Sequence, residues 1–88
     1  MSFYVYFLIS NNKKRTISYV GYTKDLPKRI KLHNSSKGAK FTKGRKWVLI
    51  YSKRYKSKSM AMKEEYLLKK NRLLRLNIKK KYLLKKNA

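Results

Sequence analysis

Apolar and polar positions alternate along this chain in blocks that change period, and the blocks outline a small mixed domain. Phe3-Tyr4-Val5-Tyr6-Phe7-Leu8-Ile9 is aromatic and β-branched almost throughout, the composition of a strand covered on both faces. A polar turn, Ser10 to Arg15, separates it from Thr16-Ile17-Ser18-Tyr19-Val20-Gly21-Tyr22, so the two segments are predicted to form an antiparallel hairpin. Asp25 then caps or opens a helix running to about His33, with Pro27 tolerated in its first turn. Leu26, Ile30 and Leu32 are its apolar positions, which frees Lys28, Arg29 and His33 to point elsewhere; Arg29 and His33, four apart, share a face.

Asn34 to Lys46 reads as a loop of Gly, Ser and Lys in which Phe41 is an anchor, and Trp47 to Tyr51 as a third strand with Tyr55 continuing near it. From Ser57 or Ser59 the period becomes helical, and Ala61, Met62, Tyr66, Leu67 and Leu68 form the expected core stripe. Asn71 interrupts that rhythm. A last helix is expected from Asn77 to Leu84, turning Ile78, Tyr82 and Leu83 inward. The predicted fold is α+β, a three-stranded antiparallel sheet flanked by helices, in one domain over residues 1–88.

Charge changes the picture most. Among 88 residues there are 26 lysines and arginines against three acids, Asp25, Glu64 and Glu65, for a formal net charge of +23. Such a surface binds phosphate backbones by releasing condensed counterions, which makes nucleic acid the default partner. It also repels itself, so stability is expected to fall at low salt and to recover with anions. A hydrophobic content of 42% argues for a folded chain rather than a basic tail. The absence of cysteine excludes disulfides and thiolate zinc sites. The apolar run at 3–9 is too short for a membrane span, and the basic leucine-bearing C-terminal third is read as electrostatic surface rather than a membrane-lying helix.

An acid retained on so positive a surface calls for a cap, an ion pair or a divalent metal. The polar residues then fall in an informative order: Tyr4-Val5-Tyr6 on the first strand, Tyr19-Val20-Gly21 on the second, Arg29 ten residues after Tyr19, His33 four later, and Glu65 in a helix beyond the third strand. This arrangement resembles the GIY-YIG nucleases, with Tyr4 standing where the motif has its first glycine. Tyr19 to Asn34 and the following Gly38 to Arg45 are similar to the short stand-alone members and to the catalytic domain of the eukaryotic structure-specific resolvases.

The resemblance implies a DNA endonuclease dependent on Mg²⁺, with Mn²⁺ as a possible substitute, acting on branched, flapped or nicked DNA in repair or recombination inside the cell. It implies catalytic roles for Tyr6, Tyr19, Arg29, His33 and Glu65. Of these, Glu65 would hold the metal, Arg29 the developing phosphate charge, and one tyrosine would act as general base or position the water, its phenolate favoured by nearby cations. Glu64 is the competing acid. Since a helix turns 100° per residue, Glu64 and Glu65 do not both face one site. Asn77 matches the family's terminal asparagine by spacing, which implies a nucleic-acid contact, and is at least as well read as a helix cap.

Lys37, Lys40, Thr42, Lys43 and Arg45 interleave with glycines and Phe41 in a loop suited to following a nucleic-acid backbone. A scaffold protein partner or a homodimer for cutting two strands stays open, as do two other classes: a non-catalytic nucleic-acid-binding protein on the same scaffold, and a basic structural protein.

Overall fold

The computed structural model describes residues 1–11 and 15–86, with the backbone alone at Lys86. Strands β1 (Phe3–Asn11), β2 (Thr16–Thr23) and β3 (Val48–Tyr55) form one antiparallel sheet in the order β2-β1-β3. Helix α1 (Leu26–Asn34) follows the hairpin, a short 3-10 turn (Lys40–Thr42) lies in the long loop, and α2 (Lys58–Lys70) and α3 (Arg72–Lys86) close the chain. The expected turn at 12–14 lies outside the described residues.

Because β1 is the central strand, its alternating side chains are covered on both sides. Phe3, Val5 and Phe7 pack with Val20, Ala61, Leu68 and Ile78 beneath α2 and α3. Tyr6 and Leu8 face the other way, against Trp47, Tyr19, Leu26 and Ile30 beneath α1. A register irregularity against β3 falls between Phe7 and Leu8.

Local chemistry explains where the helices begin. The Asp25 side chain accepts from the Lys28 backbone N–H at 3.2 Å, and Ser57 accepts from Met60 N–H at 3.2 Å. The break at Asn71 is narrower than expected: its side chain accepts from Leu74 N–H at 3.0 Å, so α3 starts at Arg72 rather than near Asn77. Asn77 is therefore not a cap; it lies exposed within α3. The stripe on α2 is also narrower, with Ala61 and Leu68 buried, seven residues apart on one line, while Met62, Tyr66 and Leu67 are exposed. The third strand is displaced too, starting at Val48 and running through Tyr55.

Candidate functional site

The site grows from the hairpin register. Tyr6 on β1 pairs with Gly21 on β2, and a Cβ at position 21 would overlap the Tyr6 ring and hydroxyl. Glycine there lets the tyrosine lie across the neighbouring strand and reach α1. At the far end of that reach the Tyr6 hydroxyl is 2.8 Å from His33 Nε2, and Arg29 Nε donates to the same oxygen at 3.4 Å. Tyr19 completes the cluster, its ring centroid 5.0 Å from that of His33 and 6.3 Å from that of Tyr6.

His33 is not a free side chain at the helix end, as its position in the sequence suggests, but wholly buried. Its Nδ1 is 2.8 Å from Thr42 Oγ1, and Thr42 in turn donates to the Ala39 carbonyl at 2.8 Å. The loop pattern predicts that Thr42 faces nucleic acid. It is instead fully buried, and its hydroxyl is spent inside the protein. A Cβ at Gly38 would overlap the His33 ring, so the loop closes on the imidazole only because residue 38 has no side chain.

The same loop is tied down at both ends. Asn34 brackets Trp47, accepting from its backbone N–H and donating to its carbonyl at 3.1 Å, while the Trp47 indole N–H donates to the Thr42 carbonyl at 2.9 Å. Ser36 accepts from Gly44 N–H at 2.9 Å, and Gly44 takes the left-handed φ of 78° that closes the loop. Lys37, Lys40 and Lys43 are exposed around it, whereas Arg45 is half-buried and donates to Ser10 Oγ at 3.4 Å. Phe41 is 57% exposed yet stacks on Tyr19 with ring centroids 6.2 Å apart, giving an aromatic surface open to solvent beside the cluster.

Electrostatics corrects one expectation. Tyr6 titrates above its ordinary range because burial disfavours the phenolate, and this outweighs the Arg29 hydrogen bond acting the other way; Tyr19 and Glu65 push in the same direction as burial. The surrounding cations therefore do not make Tyr6 a phenolate by themselves. His33 is shifted down, by burial first and then by the Arg29 charge, and Arg29 is held firmly protonated by its bond to Tyr6. The resting pair is a neutral tyrosine against a neutral histidine.

The burial of His33 has a consequence for stability. Its folded value lies below the unfolded value of about 6.5, so at pH just under 6.5 the unfolded chain binds more protons than the folded one. Stability contributed by the neutral ring is present above that pH and is lost as pH falls through the window. Thermal melts are expected to show a lower Tm at about pH 5.5 than at about pH 7.5, with the slope flattened in His33→Gln. A wild-type Tm unchanged over that interval would contradict the burial argument.

The two adjacent acids part company as the helix geometry requires. The Glu65 charge bears on Tyr6, whereas the Glu64 charge bears on Tyr55 on the β3 side. Glu65 has a side chain 17% exposed and pairs through Oε1 with Lys69 Nζ at 3.1 Å. Lys69 in turn lines a cavity of roughly 310 Å³ along β2 with Tyr19, Phe41 and Arg75, so the partner of the acid stands with the aromatics and a second cation at that edge. Among the described residues no three acidic or histidine side chains cluster as a metal cage. A lone carboxylate fits a hard, largely hydrated ion such as Mg²⁺, and fits poorly a metal needing several protein ligands.

The family resemblance singles out Tyr6, Tyr19, Arg29, His33 and Glu65; the first four lie together in the fold, and the Glu65 charge bears on Tyr6. It does not point to Gly21, Gly38 or Thr42 in the roles they take, which depend on close approach. Asn77, on the exposed surface of α3, is not joined to the cluster by any of the hydrogen bonds that hold it.

The GIY-YIG catalytic domain, as a family, matches residues 2–82. The chain is similar to the UPF0213 protein YazA of Bacillus subtilis (strain 168), 53% identical over 53 residues that make up 59% of this chain and 54% of YazA. It is also similar to the UPF0213 protein OB0043 of Oceanobacillus iheyensis, 42% identical over 67 residues, 75% of this chain and 74% of that protein. The match thus spans about half the length of the first relative and about three quarters of the second. A solution NMR structure of the UPF0213 protein BH0048 from Bacillus halodurans is 38% identical, covers 89% of this chain and 82% of that chain, and superposes with a TM-score of 0.49.

Proposed function

This chain belongs to the GIY-YIG catalytic-domain family, and on that premise we propose that it is a metal-dependent DNA endonuclease acting inside the cell on branched, flapped or nicked DNA, in repair or recombination. The observation that carries the reading is the unbroken line from Arg29 through Tyr6 and His33 to Thr42, set beside Tyr19 and within electrostatic reach of Glu65. A protein that only binds DNA gains nothing from burying a histidine to receive a tyrosine proton, or from keeping an acid among so many cations.

In this reading Tyr6 is the general base and His33 makes that possible. The Tyr6 hydroxyl passes its proton to His33 Nε2, and the resulting phenolate takes a proton from the attacking water as the new P–O bond forms. Arg29 favours the phenolate through its bond to Tyr6 and presents its other N–H groups to the charge developing on phosphate. The leaving oxygen is protonated from solvent. Glu65, now paired with Lys69, would hold Mg²⁺, or Mn²⁺ in its place, and that ion would supply a Lewis acid at a phosphate oxygen. Lys37, Lys40, Lys43 and Arg45 contact the DNA backbone, contributing affinity and orientation without reading sequence.

Arg29→Ala separates catalysis from binding. Turnover is expected to fall by about a hundredfold to a thousandfold, the range for losing one donor to a transition-state anion, while Kd for DNA changes by less than about threefold because the other cations remain. Single-turnover rates and equilibrium binding on one flap substrate measure both, and an equal loss in each would reduce Arg29 to one more backbone contact.

The deciding experiment presents purified protein with labelled flap, fork, four-way junction, linear duplex and single-stranded DNA, with Mg²⁺ or EDTA, and a Glu65→Gln control. Metal-dependent cutting near a branch, lost in the control, supports the proposal. Tight, salt-sensitive binding without cutting would favour a non-catalytic binding protein built on the same scaffold; a scaffold partner or a second copy added to that reaction tests whether either restores cutting.

A further inference from the structure

We propose that Thr42 is a positioning residue that selects the His33 tautomer, leaving Nε2 bare to receive the Tyr6 proton. The kinetic part of this rests on the endonuclease reading; the tautomer does not. A threonine hydroxyl has one hydrogen, and in Thr42 it is directed to the Ala39 carbonyl at 2.8 Å. Its oxygen, 2.8 Å from His33 Nδ1, can then only accept, so the imidazole carries its proton on Nδ1. Nε2 is left as a lone pair, 2.8 Å from the Tyr6 hydroxyl, which must donate to it. Every hydrogen in the line thus runs one way, from Arg29 to Tyr6, from Tyr6 to His33, from His33 to Thr42 and from Thr42 to Ala39.

The opposite tautomer breaks this order. Were the proton on Nε2, the ring would donate to an oxygen already accepting from Arg29, the tyrosine hydrogen would have no acceptor in the ring, and Tyr6 could not unload it. Thr42 and His33 are both fully buried, so water does not stand in for either partner. The surroundings keep the threonine in place. The Trp47 indole fixes the Thr42 carbonyl at 2.9 Å, the 3-10 turn at Lys40–Thr42 aims the side chain inward, and Gly38 leaves room for the loop to press on the ring. When Tyr6 gives up its proton the ring becomes an imidazolium, and the Thr42 oxygen is already placed to stabilise the Nδ1–H side of it.

His33 is the only histidine, so a sample carrying ¹⁵N-labelled histidine reports its two ring nitrogens without ambiguity. At about pH 8 and without DNA, the wild-type spectrum is expected to show a protonated Nδ1 and a bare Nε2. Thr42→Val, close in shape but without the hydroxyl, is expected to move most of the population to the Nε2–H form, and Thr42→Ser to restore the wild-type pattern. In cleavage assays Thr42→Val lowers kcat on the order of tenfold to a hundredfold, the range for groups that orient a functional histidine, with KM within about twofold, and Thr42→Ser recovers it. A wild-type His33 protonated on Nε2 overturns the proposal even if Thr42→Val fails to fold, and so does Thr42→Val keeping the wild-type tautomer. If the nitrogens behave as expected while no form of the protein cuts DNA, Thr42 keeps its assignment and the endonuclease reading falls.

Discussion

Glu65→Gln lowers the rate of metal-dependent cleavage by about a thousandfold or more, while affinity for DNA stays level or rises. The amide keeps the size of the side chain and removes only the charge, so the helix and its packing are undisturbed. What is lost is the anionic oxygen that would hold a hydrated divalent ion. A Lewis acid at phosphate is worth several kcal/mol of barrier, and about 4 kcal/mol corresponds to a thousandfold. Affinity is expected to hold because a negative group beside phosphate has gone and its partner Lys69 becomes available to the DNA. Single-turnover cleavage in Mg²⁺ and binding measured in EDTA test the two halves separately. Glu64→Gln serves as the comparison: its charge bears on Tyr55 and not on Tyr6, so cleavage is expected to change less than about twofold. If Glu64→Gln were the dead variant and Glu65→Gln the active one, the wrong acid has been placed at the site.

Tyr6→Phe is the second large effect, expected to reduce kcat by about a hundredfold to ten-thousandfold, the span of a lost acid–base group. One oxygen here does three things: it accepts from Arg29, donates to His33 and, in the proposed reaction, takes the proton of water. Removing it takes from Arg29 the stronger of its two tyrosine partners, leaving Tyr19, and leaves the bare His33 nitrogen without a donor in a buried place, which costs about 1–3 kcal/mol of stability in addition. Denaturant unfolding would register that loss, and rate measurements in the same buffer the catalytic one. Tyr19→Phe provides the contrast, since its ring contacts with His33 and Phe41 survive the change. Equal losses in the two variants would move the base from Tyr6 to the pair.

The hairpin and the approximate helix starts at Asp25 and at Ser57 or Ser59 are legible in the sequence because they depend on local chemistry, whereas the tyrosine, arginine and histidine positions are singled out by the family resemblance. Asp25 caps as its side chain predicts, and of the two serines where the helical period could begin, Ser57 is the cap. What is not legible depends on how elements meet. Periodicity puts Met62, Tyr66 and Leu67 inside, but the line of α2 that meets the sheet is set by Ala61 and Leu68, and the Tyr66 ring instead lies outside beneath the Lys70 ammonium. Asn71 reads as an interruption, whereas its side chain is the cap, so the expected start of α3 at Asn77 falls five residues after the observed one at Arg72. Thr42 reads as a phosphate contact because it stands among lysines; only the folding back of its loop onto His33 shows that it faces inward. Gly21 closes the second tripeptide and Gly38 reads only as a loop glycine, but why each must lack a side chain is seen only once the neighbouring Tyr6 and His33 are in place.

The central strand also governs how the protein comes into being. β1 presents Val5 and Phe7 to one layer and Tyr6 and Leu8 to the other, so a slip of one residue in its pairing would exchange the two sets together. An ensemble with the first layer assembled and the second still searching has no stable register to occupy. Refolding from denaturant is therefore expected to bring back the emission of the single tryptophan, Trp47, and the capacity to act on DNA along one time course. Chemistry built on one shared strand has no maturation step of its own; it arrives with the fold.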